Sequence, residues 1–324
     1  MVQELQKARE KRAEERTETA ERILDSIIEL RRIKTLISSF IDVKIDADER
    51  LRTSFSFIET GRLSSHEDEL GEGTHLQNVP PQVRKMFVAD PGMMLVEADK
   101  KQGEAMIVAW LAGEERQKEV FRSGGDIHEF NAKNLGTDRQ FAKTRTHGWN
   151  YGLGRHKKKV MTHEDKAREK YFQAYPRIER WQKEVIGEVA KYRRLVNPFG
   201  RRRLFFGRVE WELDEFKHPI RPKFNETMTE AIAYLPQSTL VDDVNRGLIE
   251  FFYRGEPHLQ ILHQGHDSVL WQTKKDFVRW SVKLAKECFE RKFVCGGDVL
   301  VIPIEIKVGN NWKEMEKMTD VSTI

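Results

Sequence analysis

Cysteine is nearly absent from the sequence: of 324 residues only Cys288 and Cys295 carry thiols, and they do not stand at CxxC spacing. That excludes a disulfide framework and a cysteine-based zinc site, and it fits a reducing compartment. No apolar run approaches the roughly 18 residues needed to cross a bilayer. The opening MVQELQKARE is too charged for a secretory signal. A soluble, cytoplasmic protein with no membrane partner is therefore expected. Internal repeats and low-complexity linkers are also missing. So is a large charge imbalance, since 56 Lys+Arg against 52 Asp+Glu give a net charge of +4. Net charge alone does not announce nucleic acid. The length allows one large or two to three smaller units with ample core.

The placement of charge says more than its sum. Lys and Arg crowd into 139–159 and 191–208, while acids dominate elsewhere. Such clustering fits a phosphate-rich partner, with solvated helix faces as the rival reading. Residues 1–39 contain neither Pro nor Gly and read as helix throughout. The first 20 are polar all round, which a lone globular helix rarely is. From Ile23, apolar residues recur at helical spacing through Ile37, so this part must pack on something.

Two stretches end on carboxylates. Met93–Asp99 is a mostly apolar run of strand length, after which the pattern turns helical. A strand-ending Asp can be a helix cap or a metal ligand. Far downstream, Leu259–Gln264 and Ser268–Thr273 are strand-like runs joined through Gly265-His266-Asp267, a hairpin with a carboxylate at its tip. Between them Arg139, Lys143, His147 and Tyr151 recur every four residues, so a helix sets two cations and two rings along one stripe. That stripe would suit a triphosphate with a base stacked beyond it. The loops carrying Arg62, Gln77, Asn78 and Arg84 supply donors for phosphate oxygens and minor-groove acceptors. Asp99 and Asp267 together could hold a pair of Mg²⁺ ions about 3.5–4 Å apart, with a backbone carbonyl and substrate phosphates completing the oxygen ligands.

In this order, over about residues 51–312, the chain resembles the family A DNA polymerases. Asp99, Gln102 and Glu104 stand as in motif A, Arg139, Lys143 and Tyr151-Gly152 as in motif B, and Gln264-Gly-His-Asp267 as in motif C. Thr60-Gly-Arg-Leu-Ser-Ser65 and Leu76-Gln-Asn-Val-Pro80 are similar to loops that grip the primer–template, and Val308-Gly-Asn-Asn-Trp312 to the family's C-terminal stretch. The resemblance implies a template-directed DNA polymerase that adds dNMP to a primer 3′-OH with two Mg²⁺ and releases pyrophosphate. Asp99 and Asp267 would bind the metals, assisted by the Lys100 backbone carbonyl, and with Lys143 would make the catalytic set. Gln102, Glu104, His128, Arg139, Lys143, His147 and Tyr151 would meet the nucleotide, with Glu104 as the gate that crowds a ribose 2′-OH. Arg62, Asn78, Arg84, Gln237 and His266 would contact DNA.

The fold implied is α/β of the α+β kind: a right-hand palm with an antiparallel sheet, helical fingers and an N-terminal arm. Its expected divisions are an arm or thumb remnant (1–50), palm (51–110), fingers (111–235) and palm again (236–324). Departures from the family pattern are Lys100-Lys101 for Tyr-Ser, Gly103 for Ile, Met106 for Arg, His147 for an aromatic and Ser268 for Glu. No exonuclease and little of a thumb is expected, so a second polypeptide supplying thumb or exonuclease is a partner beside primer–template DNA and dNTPs. Brevity and divergence suggest a phage-type system, hence a bacterial host's cytoplasm. Two alternatives stand: a non-catalytic, degenerate polymerase body serving as a replisome scaffold, and a ribonucleotide-using single-subunit polymerase.

Overall fold

The computed structural model describes residues 18–67, 69, 73–153, 163–223 and 225–318. The first 17 residues of the expected arm and the end of the first basic cluster lie outside them. Two compact units divide the chain, one of residues 1–56 and 63–86, the other of 57–62 and 87–324.

In the first unit α1 (Glu18–Leu36) runs into a π-helical turn, Ile37–Ile41. Strand β1 (Ser54–Phe57) pairs with β2 (Leu63–His66), and 3₁₀ turns follow at Leu76–Asn78 and Arg84–Met86. Thr74 Oγ1 donates to the Ser39 carbonyl at 2.6 Å, tying the loop to the helix end. Of the apolar residues expected to pack, Leu24, Ile28 and Leu36 are half-buried on one side of α1. On the other side Ile23, Ile27, Leu30, Ile33 and Ile37 stay exposed.

The second unit begins with β3 (Met93–Lys100), whose apolar run needs cover on both faces. Helices α2 (Gly103–Ala112), α3 (Glu115–Arg122), α4 (Ile127–Leu135), α5 (Arg139–Asn150), α6 (His163–Ala174) and α7 (Pro176–Tyr192) follow. Next come the hairpin β4 (Arg194–Val196) and β5 (Arg202–Leu204), then the ribbon β6 (Glu210–Leu213) and β7 (Pro219–Lys223). The long α8 (Glu226–Gly255) leads to β8 (Leu259–Gln264) and β9 (Ser268–Lys274). The chain continues through α9 (Val278–Phe289), β10 (Phe293–Cys295), β11 (Asp298–Leu300), β12 (Ile304–Gly309) and β13 (Met315–Lys317).

Five strands make one sheet, ordered β13-β12-β3-β9-β8 and antiparallel at every contact. Alternation sets its register. Val96, Ala98, Val269, Trp271 and Ile306 share one face and pack on Val244 and Phe251 of α8 and Val282, Ala285 and Phe289 of α9. Burying each of the Val, Ile and Phe side chains among them contributes about 1.5–3 kcal/mol. A slip by one residue would turn Glu97 and Asp99 into that core instead, so the register that faces the acids outward wins. A second core gathers Trp149, Tyr171, Ile178, Trp181 and Tyr234 from α5 through α8. No described helix is long and apolar enough to cross a membrane.

The apolar run Val299–Val308 is divided between β11 and β12. Pro303 has no N–H to give a ladder. Its carbonyl instead accepts from the Lys101 N–H at 2.9 Å, fastening the segment just after β3.

Candidate active site

The two carboxylates meet at the ends of neighbouring strands. Asp99 pairs across the ladder with Ser268, the residue after Asp267. The Lys100 N–H donates to the Asp267 carbonyl at 2.9 Å, and Gly265 N–H to Ser268 O at 2.8 Å closes the turn. Burial pushes the Asp99 carboxyl up to about 7, helped by the negative charges of Asp267, Glu97 and Glu305. Asp267 is also raised, by burial and then by Glu104. A half-buried carboxylate beside other negative charges is strained when ionised, and a divalent cation would relieve that strain. Among the described residues no group of three or more His, Cys, Asp or Glu could hold a metal ion. The oxygen atoms on offer at these strand ends are the Asp99 and Asp267 carboxylates and nearby backbone carbonyls. All are oxygens, which suits Mg²⁺, an ion that keeps several of its waters.

Lys100 departs from the family pattern and has a structural use. Strand alternation sends its side chain to the helix-covered face, where it is 2 % exposed. Its ammonium lies 2.5 Å from Asp243 Oδ2 on α8 and also donates to the Phe289 and Ile302 carbonyls. Burial lowers the Lys100 pKa and raises that of Asp243, each opposed by the partner's charge. One residue thus clamps β3 to α8 by its side chain and to the Asp267 turn by its backbone. Lys100→Met strips Asp243 of its ion-pair partner and should cost about 3–5 kcal/mol in urea unfolding. Lys100→Met with Asp243→Leu should recover most of the loss. Equal destabilisation by the single and double changes would show that the pair is not the cause.

Glu104 stands in the first turn of α2 and is held from two sides. Arg62 Nη2 donates to its Oε1, and the Tyr151 hydroxyl to its Oε2. His147 Nε2 lies 3.7 Å from the same Oε2 and packs edge-on against the Tyr151 ring at 4.7 Å. Burial, then Glu104, drives the Tyr151 pKa well up, so its hydroxyl stays a donor. The loop bringing Arg62 here requires Gly61: its φ is +84°, and a Cβ would stand 2.6 Å from the Arg201 guanidinium. Gly103 is likewise forced, since a Cβ there would meet Leu240 Cδ1 at 2.6 Å where α2 crosses α8.

The stripe on α5 forms as the four-residue spacing predicts. Asp138 caps the helix by accepting from Phe141 N–H at 2.8 Å, and Tyr151 ends it. Arg139 is ion-paired to Asp126 at 2.6 Å, whereas Lys143 is exposed and has no acid partner among the described residues. His128 on α4 is buried, and that burial, with the cations Lys143 and Arg139 nearby, lowers its pKa to about 4. At neutral pH the ring is therefore an uncharged imidazole. Between pH 6.5 and about 4 the unfolded chain binds a proton that the folded one refuses, so this group makes stability fall as pH drops. Above pH 6.5 it contributes nothing. His128→Gln should therefore lose less urea stability between pH 7 and pH 5 than the parent chain; an unchanged acid limb would count against this.

Gln102, expected at the nucleotide, spends its amide elsewhere. It accepts from Ile127 N–H at 2.8 Å and donates to Gly125 O at 3.3 Å, which holds a left-handed φ of 55° and joins the end of β3 to the start of α4. His266 faces Asp267 and Arg62, with its pKa lowered by burial. Gln237 is half-buried on α8. Asn78 and Arg84 belong to the first unit, where Arg84 Nε donates to Val79 O at 3.2 Å; the Asn78 side chain lies outside the described residues. Three residues not anticipated adjoin the acids. Asp243 grips Lys100, Trp312 Nε1 donates to Glu97 at 2.9 Å, and Glu305 sits directly across from Asp99. Period-two alternation along β3 would have flagged Lys100 as buried and so in need of an acid.

Comparison with known proteins gives this geometry its family. The POL domain of Pol1 from M. smegmatis, solved in complex with DNA primer–template and dNTP, matches with a TM-score of 0.75 at 23 % identity, over 95 % of this chain and 55 % of that one. The fold is that of a polymerase domain, mixed helix with an antiparallel sheet. The chain belongs to DNA polymerase family A, whose pattern matches residues 3–314. It is 28 % identical to the thermostable DNA polymerase I of Thermus filiformis over 91 % of its own length, and 29 % identical to that of Thermus aquaticus over 89 %. A DNA polymerase of Mycobacterium phage L5 is 28 % identical over 52 % of the chain. The chain spans little more than a third of the length of the Thermus relatives, 37 % and 36 %.

Proposed function

We propose that this chain is a template-directed DNA polymerase, or the catalytic part of one, which joins dNMP to a primer 3′-OH. The observation that carries the reading is the pairing of Asp99 with the strand end beside Asp267, both acids half-buried and raised in pKa. The two carboxylates, with the Lys100 backbone carbonyl, would hold two Mg²⁺ ions. When bound, these ions lower the pKa of an attacking hydroxyl and neutralise charge on the leaving pyrophosphate. Lys143, exposed on α5, would meet the triphosphate, with Arg139 released from Asp126 to join it and neutral His128 as a hydrogen-bond donor. Glu104, fixed by Arg62 and Tyr151, would occupy the space a ribose 2′-OH needs. Tyr151 would close the template-base pocket, and His266, Gln237, Arg62, Asn78 and Arg84 would lie along the DNA. The reading assigns no proofreading to these 324 residues.

A second polypeptide is part of the proposal. The exposed stripe Ile23, Ile27, Leu30 and Ile33 on α1, continued by Ile37, recurs every three to four residues, the spacing that takes a helix. We infer that it takes one from a thumb-bearing partner. Primer extension with Mg²⁺, dNTPs and a primed template tests both parts. Extension that is distributive alone and processive with the partner is expected. No extension under either condition would leave the degenerate-scaffold reading, and processive synthesis by the isolated monomer would remove the partner.

A further inference from the structure

The second basic cluster of the sequence takes no part in the site above. Residues 189–209 contain seven cations and no acid. The fold sorts them into two sets. On the inward side of the β4–β5 hairpin Leu195 is fully buried, Arg201 is paired to Asp242 at 2.6 Å, and Arg203 is paired to Glu230 at 2.7 Å and to Glu59. These contacts mount the hairpin rigidly beside the 58–62 loop that carries Arg62. The outward side is different. Register places Arg194 opposite Leu204 and Val196 opposite Arg202, and all four are exposed. Arg194, Arg202 and the following Arg208 have no acid partner among the described residues. Two rings flank them: Tyr192 at 55 % exposure, with the Lys191 ammonium 4.8 Å from its centroid, and Phe206 at 87 %, whose carbonyl accepts from Arg193 Nη1 at 3.2 Å.

We propose that this outward face is a second nucleic-acid surface, and that it takes single-stranded DNA. Cations without internal acids pair with phosphates, which duplex and single strand both offer. Exposed flat rings between those cations gain only from unstacked bases, which a duplex withholds. Val196 and Leu204 supply the apolar floor on which a base can lie. The identity of that strand as the unpaired template rests on the polymerase reading; the preference for single strands does not.

Fluorescence anisotropy with primer–template duplexes, either blunt or carrying a 5′ template overhang of about 12 nucleotides, tests the surface. The parent chain should bind the overhang substrate at least about fivefold tighter than the blunt one at moderate salt. Arg194→Gln/Arg202→Gln/Arg208→Gln should lose that increment and flatten the log–log salt slope by about 2, at about 0.7 per cation removed. Tyr192→Ser/Phe206→Ser should lose the increment with the slope unchanged. The inference is overturned if the overhang adds nothing to parent binding, or if the charge variant weakens blunt and overhang substrates alike. An overhang preference in a chain that never extends a primer would sink the polymerase reading and spare this surface. Extension without that preference would do the reverse.

Discussion

Asp99→Asn should lower primer extension by about 10³-fold or more while leaving primer–template affinity within about twofold. The asymmetry follows from where the carboxylate sits. It lies at the end of a strand, faces away from the helix-packed core, and has the acids Asp267, Glu97 and Glu305 against the single cation Lys307 as its charged neighbours. Removing its charge takes away a metal ligand and relieves a repulsion. The variant chain should therefore be as stable as the parent, or more so, without Mg²⁺ at pH 8. The sign can be checked directly. A carboxyl pushed up to about 7 when folded holds a proton that the unfolded chain has already released, so stability falls as pH rises from near 4 through 7. Asp99→Asn should abolish that part of the slope in metal-free thermal melts. A variant that still extends primers, or one that unfolds, contradicts the assignment.

The second large effect is on the sugar. Glu104→Ala should raise the ratio of NTP to dNTP incorporation by about 100-fold, because the space held by the carboxylate becomes open to a 2′-OH. The substitution also strips Arg62 and Tyr151 of their shared acceptor, and an unmet buried hydroxyl costs about 1–3 kcal/mol. Glu104→Gln separates the two consequences, since it keeps the volume and an acceptor oxygen but not the charge. Discrimination retained in the Gln variant and lost in the Ala variant identifies size as the gate. A parent chain that prefers NTPs would instead favour the ribonucleotide reading, towards which Ser268 in motif C points. Single-turnover incorporation with each nucleotide type measures both.

The features legible in the sequence are those whose signals are local. A run of apolar residues closed by Asp99, a tight turn holding Asp267 and a four-residue stripe on α5 each lie within about a dozen residues, and each formed as read. The expected antiparallel palm and helical fingers follow from them. Less legible was anything that long-range packing decides. Lys100 stood only as a departure from motif A, and its acid lies 143 residues away on α8. Gln102 matched the family pattern at its position, yet the junction of β3 with α4 claims its amide. The buried Trp312–Glu97 bond spans 215 residues. The break at Pro303, by contrast, was readable: a residue without an N–H in mid-run argues against one continuous strand.

The central claim is that Asp99 and Asp267 form one oxygen-lined site for a shared pair of divalent cations. Crystals grown with primer–template, a 3′-dideoxy-terminated primer, dNTP and Mn²⁺ test it through the anomalous signal of the metal. Two manganese peaks, each within bonding reach of both carboxylates and of the nucleotide phosphates, are the expected result. Manganese bound elsewhere, with the carboxylates of Asp99 and Asp267 free of metal beside an ordered nucleotide, would contradict the account.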